Sequence, residues 1–211
     1  MKECAVFAGG KIEDLSFIDA YEISESCFMV ICADSGYEYA KRLGIIPDLI
    51  VGDFDSYRGE LPEDIEVLRS VPEKDDTDTI LAVKIAAERG AERIRLYGGM
   101  GARADHAFAN IQSMIYAYEN NMTLKIIDEA NELEVLGAGE HEFDYREKWY
   151  LSLFSLTEKA DIACLCGVKY PLENKILSQS FPLGVSNEIT ADKAFLNIRS
   201  GLVLVIRSKM N

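Results

Sequence analysis

Short apolar runs recur through the first part of the chain, and each gives way to a turn and then to a stretch with helical spacing. Cys4–Ala8 closes on Gly9-Gly10, and Phe28–Ala33 closes on Asp34-Ser35-Gly36. Leu49–Val51 follows Pro47-Asp48, Ile65–Leu68 is a fourth run, Arg93–Tyr97 closes on Gly98-Gly99-Met100-Gly101, and Leu124–Ile127 is the sixth. Between them, Tyr37–Leu43 reads as a short helix stopped by Gly44. The strongest helical pattern runs from Thr77 to Arg89. Asp75, Asp76 or Thr77 can cap it, Leu81 and Ile85 share a face, and Gly90 ends it. Another helix is predicted from near Asp105 to Asn120-Asn121. Strands alternating with helices require crossover connections. The expectation for residues 1–130 is therefore an α/β domain, a mostly parallel sheet with flanking helices of Rossmann-like type.

After Asp128 the pattern changes. The apolar segments become short and punctuated by turns, and no long amphipathic helix appears. Tyr150–Ser155 alternates as a half-buried strand does. Ala191–Arg199 and Leu202–Arg207 flank Ser200-Gly201, which predicts a two-residue hairpin. Residues 131–211 are expected to form a second, all-β domain, with the boundary between 129 and 140.

Composition narrows the function classes. The chain has 211 residues, 48% of them apolar, which suffices for a real core. Its formal net charge is −14. Residues 1–80 hold 7 Lys and Arg against 19 Asp and Glu, so nearly all of the excess lies there. A nucleic-acid partner needs a basic surface, so none is expected. Five cysteines without a Cys-x-x-Cys pair, several inside apolar runs, argue against disulfides and a zinc site. The first residues carry too short an apolar run for a signal peptide, and no run reaches membrane-spanning length. A cytoplasmic protein is expected.

Two aspartate clusters stand where strands or helices begin or end: Gly52-Asp53-Phe54-Asp55-Ser56 and Lys74-Asp75-Asp76-Thr77-Asp78. In an open α/β sheet, ligands bind outside the C-terminal ends of the strands. Carboxylates gathered there repel one another, and a hard cation such as Mg²⁺ relieves the repulsion while offering a hold on phosphate. Solvated turns and helix caps are the plain alternative, because Asp is common in both. Asp34 occupies a similar place after an earlier run. Asp53 and Asp55 converge only if the chain bends, which Gly52 makes easier. In Gly98–His106, backbone N–H groups at a helix start favour phosphate, and Arg103 adds a charged fork. His106 could donate to a phosphate or serve as a structural hydrogen-bonder; His141 lacks such company. Gly99-x-Gly101-x-x-Ala104 also fits a dinucleotide fingerprint, with Asp128 near the ribose position, so an NAD-binding protein is an alternative. The Asp53-Phe54-Asp55 strand end looks like the nucleophile of haloacid-dehalogenase-type phosphohydrolases, although no late acidic pair follows a strand.

Taken together and in order, these residues resemble one family. Ala33-Asp34-Ser35-Gly36, Gly44-x-x-Pro47-Asp48, Gly52-Asp53-Phe54-Asp55-Ser56, Lys74-Asp75-x-Thr77-Asp78, Gly98-Gly99-x-Gly101-x-Arg103-x-Asp105-His106 with Asn110, and Gly184-Val185-Ser186-Asn187-Glu188 are similar to the motifs of bacterial-type thiamine pyrophosphokinases. The resemblance implies an N-terminal α/β domain, a C-terminal β-sandwich that binds thiamine, and a homodimer. It implies an enzyme, a thiamine diphosphokinase, that transfers diphosphate from ATP to thiamine and releases AMP. It makes Asp53, Asp55 and Asp78 the Mg²⁺ ligands. Lys74, Thr77, Arg103, Asp105 and His106 become the ATP contacts, and Ser186 and Asn187 the thiamine contacts. Asp34, Asp55, Asp78 and Arg103 become the catalytic set. A non-catalytic Mg-nucleotide or thiamine-binding regulator on the same scaffold is the further alternative. Relatives from higher organisms place a late Trp against the thiamine ring, whereas the single Trp here, Trp149, precedes Ser186.

Overall fold

The computed structural model describes residues 1–54, 57, 59–70, 76–101 and 103–210. The chain divides into two compact units, Met1–Glu129 and Ala130–Asn211.

The first unit runs β1 (Glu3–Phe7), α1 (Ala20–Ser26), β2 (Met29–Ala33), a single 3₁₀ turn at Asp34–Gly36, α2 (Tyr37–Leu43), β3 (Leu49–Gly52), β4 (Glu66–Arg69), α3 (Asp78–Glu88), β5 (Arg93–Tyr97), α4 (Ala104–Glu119) and β6 (Thr123–Ile127). The strands lie in the order β6-β5-β1-β2-β3-β4, and each adjacent pair is parallel. Strands β2 and β3 are buried along their whole length, as is β1 after Glu3. Burial on both faces is why they read as unbroken apolar runs. Edge strand β4 is largely exposed.

Local chemistry sets the helix ends. Thr77 caps α3, its Oγ1 accepting from the Ile80 N–H at 3.3 Å. Gly44 ends α2 in the left-handed conformation at φ 70°. Helix α1 is a finding that apolar spacing did not predict. Only Ile23 in it is buried, so no periodicity marks it. Its signal is the cap: Asp19 accepts from the Glu22 N–H at 2.9 Å.

The second unit contains β7 (Asn131–Leu136), β8 (Gly139–Asp144), β9 (Trp149–Ser155), β10 (Lys159–Cys166), β11 (Leu172–Ser178), β12 (Gly184–Glu188), β13 (Lys193–Ser200) and β14 (Val203–Lys209). One antiparallel sheet has the order β12-β9-β14-β7, the other β11-β10-β13-β8. Leu151, Leu153, Val203 and Val205 from the first share a core with Ile162, Leu165, Leu196 and Ile198 from the second.

The hairpin expected at Ser200-Gly201 does not form. Strand β13 pairs with β8 and β10, while β14 pairs with β7 and β9. Gly201, at φ 88°, is pressed against the start of β10. A Cβ there would sit 2.6 Å from the Lys159 carbonyl oxygen and 2.8 Å from the Ala160 Cα. The turn therefore carries the chain from one sheet to the other, and the alternating residues of β14 face the shared core rather than a hairpin partner.

All five cysteines are free. Burial pushes the Cys4 and Cys32 thiols well above their usual range. Among the described residues, no helix is long and apolar enough to cross a membrane.

Candidate functional site

Strands β1 and β5 lie side by side, and from them the chain winds outward in opposite directions. The crevice outside their C-terminal ends is the topological switch point, where open α/β sheets bind ligands. A cavity of about 420 Å³ opens there, within the size range of small-molecule sites.

Two glycine loops form its floor. Gly9, Gly10 and Lys11 follow β1; Gly98, Gly99 and Gly101 follow β5. The loops interlock backbone to backbone. The Gly10 N–H donates to the Gly98 carbonyl at 3.1 Å. A Cβ on Gly101 would lie 2.6 Å from the Gly10 Cα and 2.7 Å from the Lys11 nitrogen. A Cβ on Gly10 would overlap the Gly98 carbonyl oxygen and lie 2.9 Å from the Gly101 nitrogen. Only glycines permit this approach. Buried Asn110 on α4 fixes the second loop, its Nδ2 donating to the Gly99 carbonyl at 2.7 Å.

The acidic wall comes from Asp34, just after β2, and Asp78, at the start of α3. Asp34 has a left-handed backbone, φ 50°, and sits against Gly52, where a Cβ would lie 3.1 Å from the Asp34 Cα. Phe54 is also left-handed, φ 60°, with the Arg69 guanidinium 5.2 Å from its ring centre. Two non-glycine residues in this region cost of order 1–3 kcal/mol each and typify functional sites. The left-handed Phe54 turns the chain two residues after Gly52. Asp78 opens α3, where its carboxylate complements the helix dipole, and its Oδ1 accepts from Ser70 Oγ at 2.8 Å.

Opposite lies the start of α4. Arg103 grips Asp105 through Nε at 3.2 Å and Nη2 at 2.7 Å. That grip, with the His106 N–H donating to Oδ1 at 3.0 Å, lowers the Asp105 pKa to about 2. Both side chains are exposed, so Arg103 is pre-aimed rather than locked.

The cavity thus brings together Asp34, Thr77, Asp78, Arg103 and His106. Asp105 joins it through Arg103, whereas Asp53, which follows β3, is not part of the lining. Asp55 and Lys74 lie outside the described residues. Among the described residues, no group of three or more His, Cys, Asp or Glu is placed to hold a metal. Asp34, Asp53 and Asp78 nevertheless offer only hard oxygen donors, the set that suits Mg²⁺. Sequence reasoning missed Gly9-Gly10-Lys11 as site residues. Its signal was a Gly-Gly pair directly after the first strand.

In the second unit, a register shift in β12 between Gly184 and Asn187 turns Ser186 outward at φ 57°. Ser186 is exposed, and its N–H donates to Ser152 Oγ at 3.0 Å. Asn187 is buried. Its Oδ1 accepts from the Tyr170 and Glu188 N–H groups, and its Nδ2 donates to the Tyr170 carbonyl at 2.8 Å. The Trp149 ring carries two cations, Arg146 at 5.3 Å and Lys209 at 5.8 Å.

A parallel sheet with a glycine-floored, acid-walled crevice at its switch point defines an α/β protein built to receive a phosphorylated ligand. Comparison with known proteins gives the family. Residues 21–126 match the thiamin pyrophosphokinase catalytic domain, and residues 140–203 match the thiamin pyrophosphokinase vitamin B1 binding domain. The chain is 30% identical to the thiamine pyrophosphokinase of Bacillus subtilis, over 99% of both chains. It is 26% identical to thiamin pyrophosphokinase 1 of Caenorhabditis elegans, over 80% of this chain and 74% of the worm protein. The crystal structure of the Bacillus subtilis protein superposes with a TM-score of 0.88 at full coverage of both chains. That of the thiamin pyrophosphokinase from Geobacillus thermodenitrificans, also 30% identical, gives 0.83 over 98% of this chain and 97% of the other. The chain belongs to the thiamine pyrophosphokinase family.

Proposed function

We propose that this protein is an enzyme that transfers a diphosphate group from ATP to the hydroxyethyl oxygen of thiamine, giving thiamine diphosphate and AMP. The observation that carries the reading is the interlocked pair of glycine loops, with Arg103 and His106 beside them, in a chain of this family. The first unit is read as Rossmann-like, because its strands wind outward from a β1/β5 switch point.

The thiamine hydroxyl oxygen attacks the β-phosphorus. The bond from that phosphorus to the α,β-bridging oxygen breaks, and the electron pair leaves with AMP. An alcohol is a weak nucleophile, so a carboxylate takes its proton; Asp34, Asp55 and Asp78 are the candidates. Arg103 offsets the charge that grows on the departing phosphate, and Lys74, Thr77, Asp105 and His106 hold the nucleotide. Asp53, Asp55 and Asp78 would hold Mg²⁺, which neutralises polyphosphate charge when bound. Ser186 and Asn187 are the thiamine contacts. Asn187 retains one amide N–H beyond its bond to Tyr170, so its contact is a single donated hydrogen bond. The thiazolium cation suits an acidic protein.

We take the working form to be a homodimer, a reading supported by the exposed Phe181, Leu183 and Val185, and the compartment to be the cytoplasm, supported by the free cysteines. The activity is tested by phosphorus NMR of products from thiamine and MgATP. Thiamine diphosphate with AMP is expected. Thiamine monophosphate with ADP would mean ordinary kinase chemistry and overturn the proposal.

A further inference from the structure

The first glycine loop lies ahead of residues 21–126, which carry the catalytic-domain match, yet it forms half of the cavity floor. One side chain holds it from behind. Tyr39, on α2, does not line the cavity; its ring is partly buried in the core beside Phe7 and Ile12. Its hydroxyl donates to the Gly10 carbonyl at 2.9 Å and accepts from the Ile12 N–H at 3.0 Å. A phenolic hydroxyl can do both at once. The two bonds straddle Lys11 and fix the turn between Gly10 and Ile12.

The consequence lies in the Gly10–Lys11 peptide. A trans peptide points its N–H opposite to its carbonyl. With the carbonyl committed to Tyr39 on the core side, the Lys11 N–H is directed away from α2. The Lys11 nitrogen sits beside Gly101 of the second loop, where a Cβ would come within 2.7 Å of it. The neighbouring N–H groups are committed, that of Gly10 to the Gly98 carbonyl and that of Ile12 to the Tyr39 hydroxyl, so the Lys11 N–H is the donor of this turn left to meet an anion. Lys11 is also a residue of the cavity lining.

We infer that Tyr39 is a positioning residue: its hydroxyl orients the Gly10–Lys11 peptide toward the polyphosphate of the bound nucleotide. This rests on the nucleotide reading of the cavity given above. Without the hydroxyl the peptide is free to rotate, and the polyphosphate loses a preset donor while thiamine loses nothing.

The test is Tyr39→Phe, which keeps the ring in the core. The KM for ATP is expected to rise roughly five- to tenfold, the worth of about one hydrogen bond. The kcat and the KM for thiamine should stay within about twofold, as expected when uniform binding alone is lost. Calorimetric affinity for α,β-methylene ATP should fall by the same factor, a readout independent of turnover. Tyr37→Phe is the control, because Tyr37 meets Tyr57 edge to face through its ring, with centres 5.7 Å apart, and the change keeps that ring; it should leave both values unchanged. An unchanged ATP affinity in Tyr39→Phe, or an equal loss for thiamine, overturns the inference. Should the variant fold poorly, hydrogen exchange at the Ile12 amide of the wild-type protein decides. Methylene ATP should slow it, and no change would overturn the inference. A wild-type protein that binds methylene ATP but makes no thiamine diphosphate would instead sink the proposed activity, with the role of Tyr39 still read from binding.

Discussion

At the scale of single residues, charge geometry makes two predictions. Asp105 is held below its ordinary 3.8, at about 2, first by the Arg103 side chain. A depressed folded-state pKa means that the clamp stabilises fully above pH 3.8 and loses its effect as pH falls through about 2. Carboxyl NMR should therefore show Asp105 titrating near 2, and returning toward 3.8 in Arg103→Gln. A midpoint near 3.8 in the wild-type protein would mean that the clamp does not hold in solution. The second prediction concerns the proposed Mg²⁺ ligands. Asp53→Asn, Asp55→Asn and Asp78→Asn each remove one anionic ligand and keep its shape. Each should lower kcat more than about a hundredfold, the scale of losing metal stabilisation of the transition state. The melting temperature should change little, because relief of like-charge crowding offsets the lost helix-dipole contact of Asp78. Near-wild-type turnover in all three would leave the aspartates as solvated turn residues.

At the scale of elements, the interlocked loops are the feature to break. Gly10→Ala places a methyl group on the Gly98 carbonyl, and Gly101→Ala places one on the Gly10 and Lys11 backbone. Backbone cannot yield as a flexible side chain does. Each change should cost about 1–3 kcal/mol, the usual penalty of overpacking. Nucleotide affinity should fall in both, and differential scanning calorimetry alongside methylene-ATP titration separates the two effects. Binding that survives in both variants would show the loops are not the phosphate floor. The elements also mark where sequence reading succeeds. Leu49–Val51 was legible because buried parallel strands carry unbroken apolar runs, and Arg93–Tyr97 because Ile94, Leu96 and Tyr97 lead straight into a Gly-rich turn despite Arg93 and Arg95. Helix α3 was legible from Thr77 and the Leu81/Ile85 spacing. Helix α1 was not, because one buried Ile23 leaves no period to detect. The Ser200-Gly201 turn was misread for a different reason. A turn dipeptide specifies a local bend, but not whether the next strand pairs with its neighbour or joins another sheet. Gly9-Gly10-Lys11 went unread as a site because its role depends on a second loop that follows β5, and that contact exists only once the sheet order is known.

At the scale of the whole molecule, charge distribution and site chemistry meet. Most of the net charge of −14 falls within residues 1–80, which carry Asp34, Asp53, Asp55 and Asp78. Two kinds of cation response are then separable. General screening by salt weakens repulsion over the whole surface and depends on ionic strength alone. Specific binding adds a term set by the ratio of ligand concentration to Kd. It amounts to about 1.4 kcal/mol at roughly ten times Kd, and acts only if the folded form binds. For a chain of this size that corresponds to a rise of roughly 3–6 °C in the melting transition. MgCl₂ should therefore raise the melting temperature beyond NaCl at matched ionic strength, and Asp78→Asn should abolish the excess while keeping the NaCl response. Scanning calorimetry without nucleotide measures both, so the result does not depend on turnover. Equal shifts for the two salts in the wild-type protein would reduce the aspartate wall to a diffuse acidic surface. A Mg²⁺ excess that persists in Asp78→Asn would move the cation to other carboxylates. Because the nucleotide carries its own Mg²⁺, a repeat with methylene ATP should then show a shift larger than the sum of the separate effects, since metal and polyphosphate each neutralise charge that opposes the other.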